Sequence, residues 1–164
     1  MCLEEKLIHP EITLKPMTPE MYHTFFQEYE NDMDLYLDKR DFREYNYEKS
    51  KVDAYIQRQN DLKRLSFAIM YGNEMVGEIK IYDIVPSQSA TLGITMKSKK
   101  YKDKGFGTQA EKLAIEYVFC QLDIPVLYAD CVLTNTRSQH VLEKVGFRFM
   151  YADDQRKHYQ ITRN

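Results

Sequence analysis

The chain has 164 residues and a formal net charge of −2, with 43% hydrophobic and 29% charged residues. Those values fit one globular domain over 1–164 with a core of its own, and they exclude a collagenous or low-complexity chain. No apolar run approaches the ~18 residues of a membrane-spanning helix, and the near-neutral balance argues against nucleic acid as the partner.

The opening MCLEEKLIHPE places acids where a signal peptide has a basic and then an apolar stretch, so a cytoplasmic location is expected. Cys2, Cys120 and Cys131 are too few for a disulfide framework and lack the close spacing of a zinc knuckle. Cys120 and Cys131 sit among apolar neighbours in sequence and read as reduced, core-type thiols. His9, His23, His140 and His158 are scattered without ligand spacing, so no metal is expected. Charge is nevertheless uneven: 97–104 (KSKKYKDK) carries five Lys and one Asp, whereas 28–41 (EYENDMDLYLDKRD) carries six acids and two bases.

In chain order, 11–16 (EITLKP) alternates and reads as a first strand. Thr18-Pro19 then supplies an N-cap with Pro at the first helical position. Tyr22, Phe25, Phe26, Tyr29, Met33, Tyr36 and Leu37 follow at steps of three and four, predicting an amphipathic helix or helix pair. A second helix is expected over 50–60. LSFAIMY (65–71), the turn Gly72-Asn73 and EMVGEIKIYDIV (74–85) predict a β-hairpin, and SATLGITMK (89–97) a third strand. After the lysine-rich loop a helix carries Ala110, Leu113, Ala114, Tyr117 and Val118 at helical spacing. PVLYADCVL (125–133) reads as a central strand, apolar on both faces. Asn135 caps a helix that stops at Gly146, and 147–162 fits two closing strands. The order β-α-α-β-β-β-α-β-α-β-β is a mixed α/β sheet covered by helices.

Lys102-Asp103-Lys104-Gly105-Phe106-Gly107-Thr108 lies between a strand and a helix. Its glycines permit tight turning and close backbone approach. The free N–H groups of a helix start, with the dipole behind them, form an anion site that suits a phosphate or pyrophosphate. A P-loop is excluded because no Gly-Lys followed by Ser or Thr completes it. A dinucleotide-binding unit is excluded because a β-meander precedes the loop and no acid follows at the required distance.

The stretch LGITMKSKKYKDKGFGTQAEKLAIEYVF resembles motif A of the GNAT N-acetyltransferases: Gln or Arg, two residues, Gly, one residue, then Gly or Ala. Lys102 stands where Gln or Arg is usual, and both glycines match. NTRSQHVLEKVGF is similar to motif B in the RimJ/RimL-like branch, where Asn and Ser three residues apart open a helix ending Glu-Lys-x-Gly-Phe. With the element order, the resemblance covers roughly residues 10–163. It implies the GNAT fold, a mixed, mostly antiparallel sheet of about seven strands flanked by about four helices, with a splayed parallel pair holding CoA. It also implies acetyl-CoA as cosubstrate and an amine acceptor as the other partner; a monomer or homodimer is expected, with no metal, nucleic acid or membrane. The pyrophosphate would lie on the backbone of 103–108, and the pantetheine arm would pass the backbone near Met96. Asn135 and Ser138 would face the thioester end. Lys102, Asp103, Lys104, Gly105, Phe106, Gly107, Thr108, Met96, Asn135 and Ser138 are the implied cofactor contacts.

The catalytic groups depart from the family pattern. The strand before the loop offers no carboxylate as base, with Thr91 at the expected position. Leu142 replaces the Tyr that often serves as acid. Ser138 is the candidate for protonating or orienting the leaving thiolate, with Asn135 beside it as cap and cofactor contact. Tyr159 is a secondary polar candidate. Glu78 and Asp83 are the remaining base candidates, and strand alternation sends them to opposite faces. Deprotonation at pH 7 costs about 4.6 kcal/mol for an alkylamine and about 1.1 kcal/mol for an α-amine. A site without a strong base therefore favours peptide N-termini, with small-molecule amines as the wider possibility. The alternative is a CoA-binding regulatory or degenerate domain that has lost turnover. The acidic tract 28–41 falls, by the same resemblance, where the acceptor site is walled.

Overall fold

The computed structural model describes residues 11–164; Cys2, His9 and the leader reading of the first residues lie outside them. The strand β1 (Ile12–Pro16) leads into α1 (Pro19–Glu28), where Thr18 Oγ1 accepts from the Met21 N–H at 3.2 Å and Pro19 occupies the first turn. The apolar stripe expected to continue the helix through Leu37 is interrupted. After Glu28 come only two short 3₁₀ turns, Met33–Leu35 and Lys39–Asp41. Asp32 and Asp38 cause this, each accepting from the N–H two residues ahead (Asp34 and Arg40) in a local turn that competes with the helix.

The helix α2 (Lys49–Asp61) packs on α1, with Tyr22 edge-on to Tyr55 at 5.6 Å. The meander β2 (Leu65–Tyr71), β3 (Glu74–Val85) and β4 (Ser89–Met96) follows. The remainder is α3 (Phe106–Cys120), β5 (Val126–Val132), α4 (Thr136–Lys144), β6 (Arg148–Ala152) and β7 (Arg156–Thr162). The order of elements is the one predicted. None of the described helices is long and apolar enough to cross a membrane.

The sheet order is β1-β2-β3-β4-β5-β7-β6, and β4–β5 is its parallel pair. Strand alternation divides the core. Ile79, Ile81, Leu92, Leu127 and Ala129 pack with α3 and α4 on one face, and Ala68, Met70 and Met75 pack under Phe25 of α1 on the other. The buried face of α3 is Ala110, Glu111, Ala114, Ile115 and Val118, one residue round from the predicted stripe, while Leu113 is exposed. Cys131 is buried in β5, but Cys120 is exposed at the end of α3 because the helix turns that position outward, contrary to the core role expected of it.

Strands β4 and β5 pair only at Ser89–Val126, Ala90–Leu127 and Thr91–Tyr128. Beyond that seam β4 stays bonded to β3 as far as Met96, and β5 to β7 as far as Val132. A slot opens between them, the splay that the resemblance implies.

Candidate active site

A cavity of about 630 Å³ runs through this slot from one face of the sheet to the other. At one end, Asp103 (φ +58°) and Gly105 (φ +81°) turn the chain into α3. Gly105 caps the helix without a side chain, and the first bond into it is Gln109 N–H to Gly105 C=O at 3.1 Å. The amides of Phe106, Gly107 and Thr108 precede that bond and stand at the cavity wall. Phe106 is buried between Tyr71 and Tyr101 and anchors the turn. A Cβ on Gly107 would meet only Ile94 Cδ1, at an ordinary 3.7 Å, so packing does not demand glycine there. The missing side chain serves the cavity.

The predicted loop residues divide. Lys102, Asp103, Gly105, Phe106, Gly107 and Thr108 line the cavity, whereas Lys104 is exposed outside it. Lys102 is not free for an anion: its ammonium is paired with Asp32, both side chains largely buried. Arg137 bonds Asp103 at 3.1 Å and reaches Asp34 at 3.4 Å. The acidic tract is thereby strapped across the loop, and Tyr29, Asp32 and Leu35 form part of the cavity wall. Lys97 holds its other end, bonding Glu28 at 2.5 Å, while the Glu30 N–H donates to the Lys97 carbonyl.

Midway, Met96 lines the slot, and Asn135 and Ser138 stand at the mouth of α4. Asn135 caps α4 by accepting from the Ser138 N–H at 3.1 Å. The Ser138 hydroxyl neighbours the Cys131 thiol, which burial pushes above the usual range and Ser138 partly restores. Leu142 is buried in the wall, an apolar group where the family often has an acid. Tyr159 is buried against Phe149 and is not part of this cavity.

At the far end stands Glu78, 4% exposed, on the strand next to the one where a base is expected. It pairs with Thr95 in register, so it shares the slot-facing side of β4. Burial pushes its carboxyl up to about 7. The Lys80 ammonium lies 3.3 Å from Glu78 Oε1 and 4.4 Å from the Tyr55 ring centre, and burial lowers it to about 8. Glu78 Oε2, the Tyr22 hydroxyl and Ser66 Oγ are all buried without a hydrogen-bond partner. Asp83 is exposed at a bulge with φ +49°, away from the cavity, as alternation separates it from Glu78. Thr91 lies at the closed seam and lines only a separate, smaller pocket.

Lys80, Tyr82, Glu111, Asp130, Arg137, His140 and Arg156 also line the cavity and were not singled out by sequence reasoning. Alternation from Glu78 would have found Lys80 and Tyr82. Glu111, one turn after Gly107, is a helix position between Ala110 and Ala114 that reads as surface until the helix is rotated.

The cavity thus joins an open slot, the free amides of a helix start and a buried carboxyl whose acidity burial brings near neutrality. Residues 11–148 match the Acetyltransferase (GNAT) domain family. The chain is 26% identical to the probable N-acetyltransferase YjcK of Bacillus subtilis, over 72% of this chain and 74% of that one. It is 27% identical to the spermidine N(1)-acetyltransferase of Escherichia coli over 95 residues, 58% of this chain and 51% of that protein. The Campylobacter jejuni N-acetyltransferase PseH in complex with acetyl coenzyme A superposes with a TM-score of 0.70 at 16% identity, covering 94% of this chain and 100% of that one. Slot, loop and sequence therefore converge, and the chain belongs to the GNAT family as an N-acetyltransferase.

Proposed function

We propose that this enzyme moves the acetyl group of acetyl-CoA onto a primary amine by direct attack, with Glu78 as general base. The observation that carries the reading is the continuity of one cavity from the amides at 106–108 to a buried, partly unpaired Glu78. The residues suit the cosubstrate. The amides of Phe106, Gly107 and Thr108 would hold the diphosphate, the slot beside Met96 would take the arm, and Asn135 and Ser138 would flank the thioester. Bound acetyl-CoA supplies an activated acyl group and a thiol leaving group. Glu78 accepts the amine's proton, Lys80 holds the carboxylate within the pair, and Ser138 donates toward the departing sulfur.

The sequence pointed to α-amines because no base was evident. With Glu78 poised near 7 the preference stands on a different footing. Passing a proton to it costs about 1 kcal/mol from an α-ammonium and about 4.6 kcal/mol from an alkylammonium. A peptide N-terminus is thus favoured, in keeping with the RimJ/RimL-like motif, and a small monoamine is the wider class. Polyamines fit less well, although a relative is named for spermidine. Glu78, Asp130, Asp32 and Asp103 are each paired with a cation (Lys80, Arg156, Lys102 and Arg137), and Glu111, the remaining carboxyl on the wall among the described residues, is kept neutral by burial, which leaves no lone carboxylate to hold a second ammonium.

The test is thiol release from acetyl-CoA with α-amino peptides, monoamines and spermidine at pH 7, in wild type and Ser138→Ala. The expected result is turnover fastest with an α-amine, and a lower kcat in Ser138→Ala at unchanged acetyl-CoA affinity. Binding without release for every acceptor would establish the degenerate alternative, and a spermidine preference would overturn the acceptor class.

A further inference from the structure

Among the described residues, Glu111 is the one carboxyl on the cavity wall without a cation partner. It is 2% exposed, and its Oε2 has no hydrogen-bond partner. Such a group costs about 1–3 kcal/mol when left unsatisfied. A helix position between Ala110 and Ala114 would be filled more stably by leucine. Glu111 stands four residues after Gly107, about 6 Å along the helix from the free amides, on the α3 side of the slot.

We infer that Glu111 is a further cofactor-binding residue, its carboxyl forming a hydrogen bond with an amide of the pantetheine arm. The inference rests on the acetyl-CoA reading above and names a contact that the glycine loop does not supply. The arm is a mostly aliphatic chain interrupted by amides, and each amide that enters a dry slot needs a partner. A neutral carboxyl provides both a donor and an acceptor, and burial alone holds Glu111 up at about 8. The faces of β1, β3 and β4 turned toward it carry apolar groups such as Ile12, Ile79 and Ile94. The titratable side chains on the cavity wall from its neighbours are Tyr101, Lys102 and Asp103 of the loop, Glu78, Lys80 and Tyr82 of β3, Asp130 and Cys131 of β5, Arg137, His140 and Lys144 of α4, and Arg156 of β7. None of these adds to the shift.

Calorimetric binding of acetyl-CoA to wild type, Glu111→Gln and Glu111→Leu between pH 7 and 9.5 tests the assignment. At pH 7 the leucine variant should bind about tenfold more weakly, and glutamine, which keeps donor and acceptor, within about threefold of wild type. Wild-type affinity should fall severalfold or more across the range as the carboxyl ionises, a loss that neither variant shares. Equal affinity of Glu111→Leu and wild type, or one common pH slope in all three proteins, overturns the assignment while leaving the acetyl-CoA reading intact. Failure of wild type itself to bind acetyl-CoA overturns that reading, and the assignment with it.

Discussion

Glu78 and Lys80 stand two residues apart on one face of β3, and burial drives their acidities toward each other, to about 7 and about 8. A carboxyl that burial brings near neutrality suits the proposed base, because it need not stay permanently charged in an apolar site. Activity should therefore rise through pH 7 as Glu78 ionises. Replacing Glu78 by Gln should lower kcat about 100-fold or more and remove that acid limb, read from a kcat/KM profile over pH 6–9. Glu111 has a stability consequence of its own. Its folded-state acidity lies above the unfolded value near 4.3, so the folded chain holds a proton that the unfolded chain releases, and stability falls as pH rises from about 4 to about 8. Ligand-free Glu111→Leu should melt at least several degrees higher at pH 8 and lose much of that slope, measured by calorimetry.

At the scale of elements, the amphipathic spacing, caps and turn residues were enough to order every strand and helix, because those signals are local. The segment after Glu28 was not legible in the same way. Its stripe of Met33, Tyr36 and Leu37 has helical spacing, but Asp32 and Asp38 bond their own backbone and end the helix. Glu78 as the site carboxyl depends on the register of β3 against β4, which a bulge between Tyr82 and Val85 shifts and no residue pattern announces. Lys102 was legible as a loop cation but not as the partner of Asp32, a contact across about 70 residues of chain. Asp32→Asn should free Lys102 for the diphosphate while loosening the strap, tightening acetyl-CoA severalfold and raising the acceptor KM. Gly107→Val should fold, since its added carbons face open cavity, yet lose the thermal stabilisation by acetyl-CoA that wild type gains. Equal shifts in the two proteins would move the diphosphate elsewhere.

Viewed whole, the sheet is two plates, β1–β4 and β5–β7–β6, that meet along the three residue pairs of the β4–β5 seam. Each plate is internally continuous, so mechanical compliance concentrates at the seam. The backbone of 92–96 and of 129–132 turns a row of peptide groups toward the slot that the opposite strand does not satisfy. In the free protein these amides should exchange with deuterium faster than those of β2 and β3, and acetyl-CoA should slow them selectively. On the proposed function, the arm would act as a splint between the plates. Occupancy of the slot would then stiffen the molecule across its width, so that an acceptor arriving second would meet a rigid wall where one arriving first would meet a yielding one.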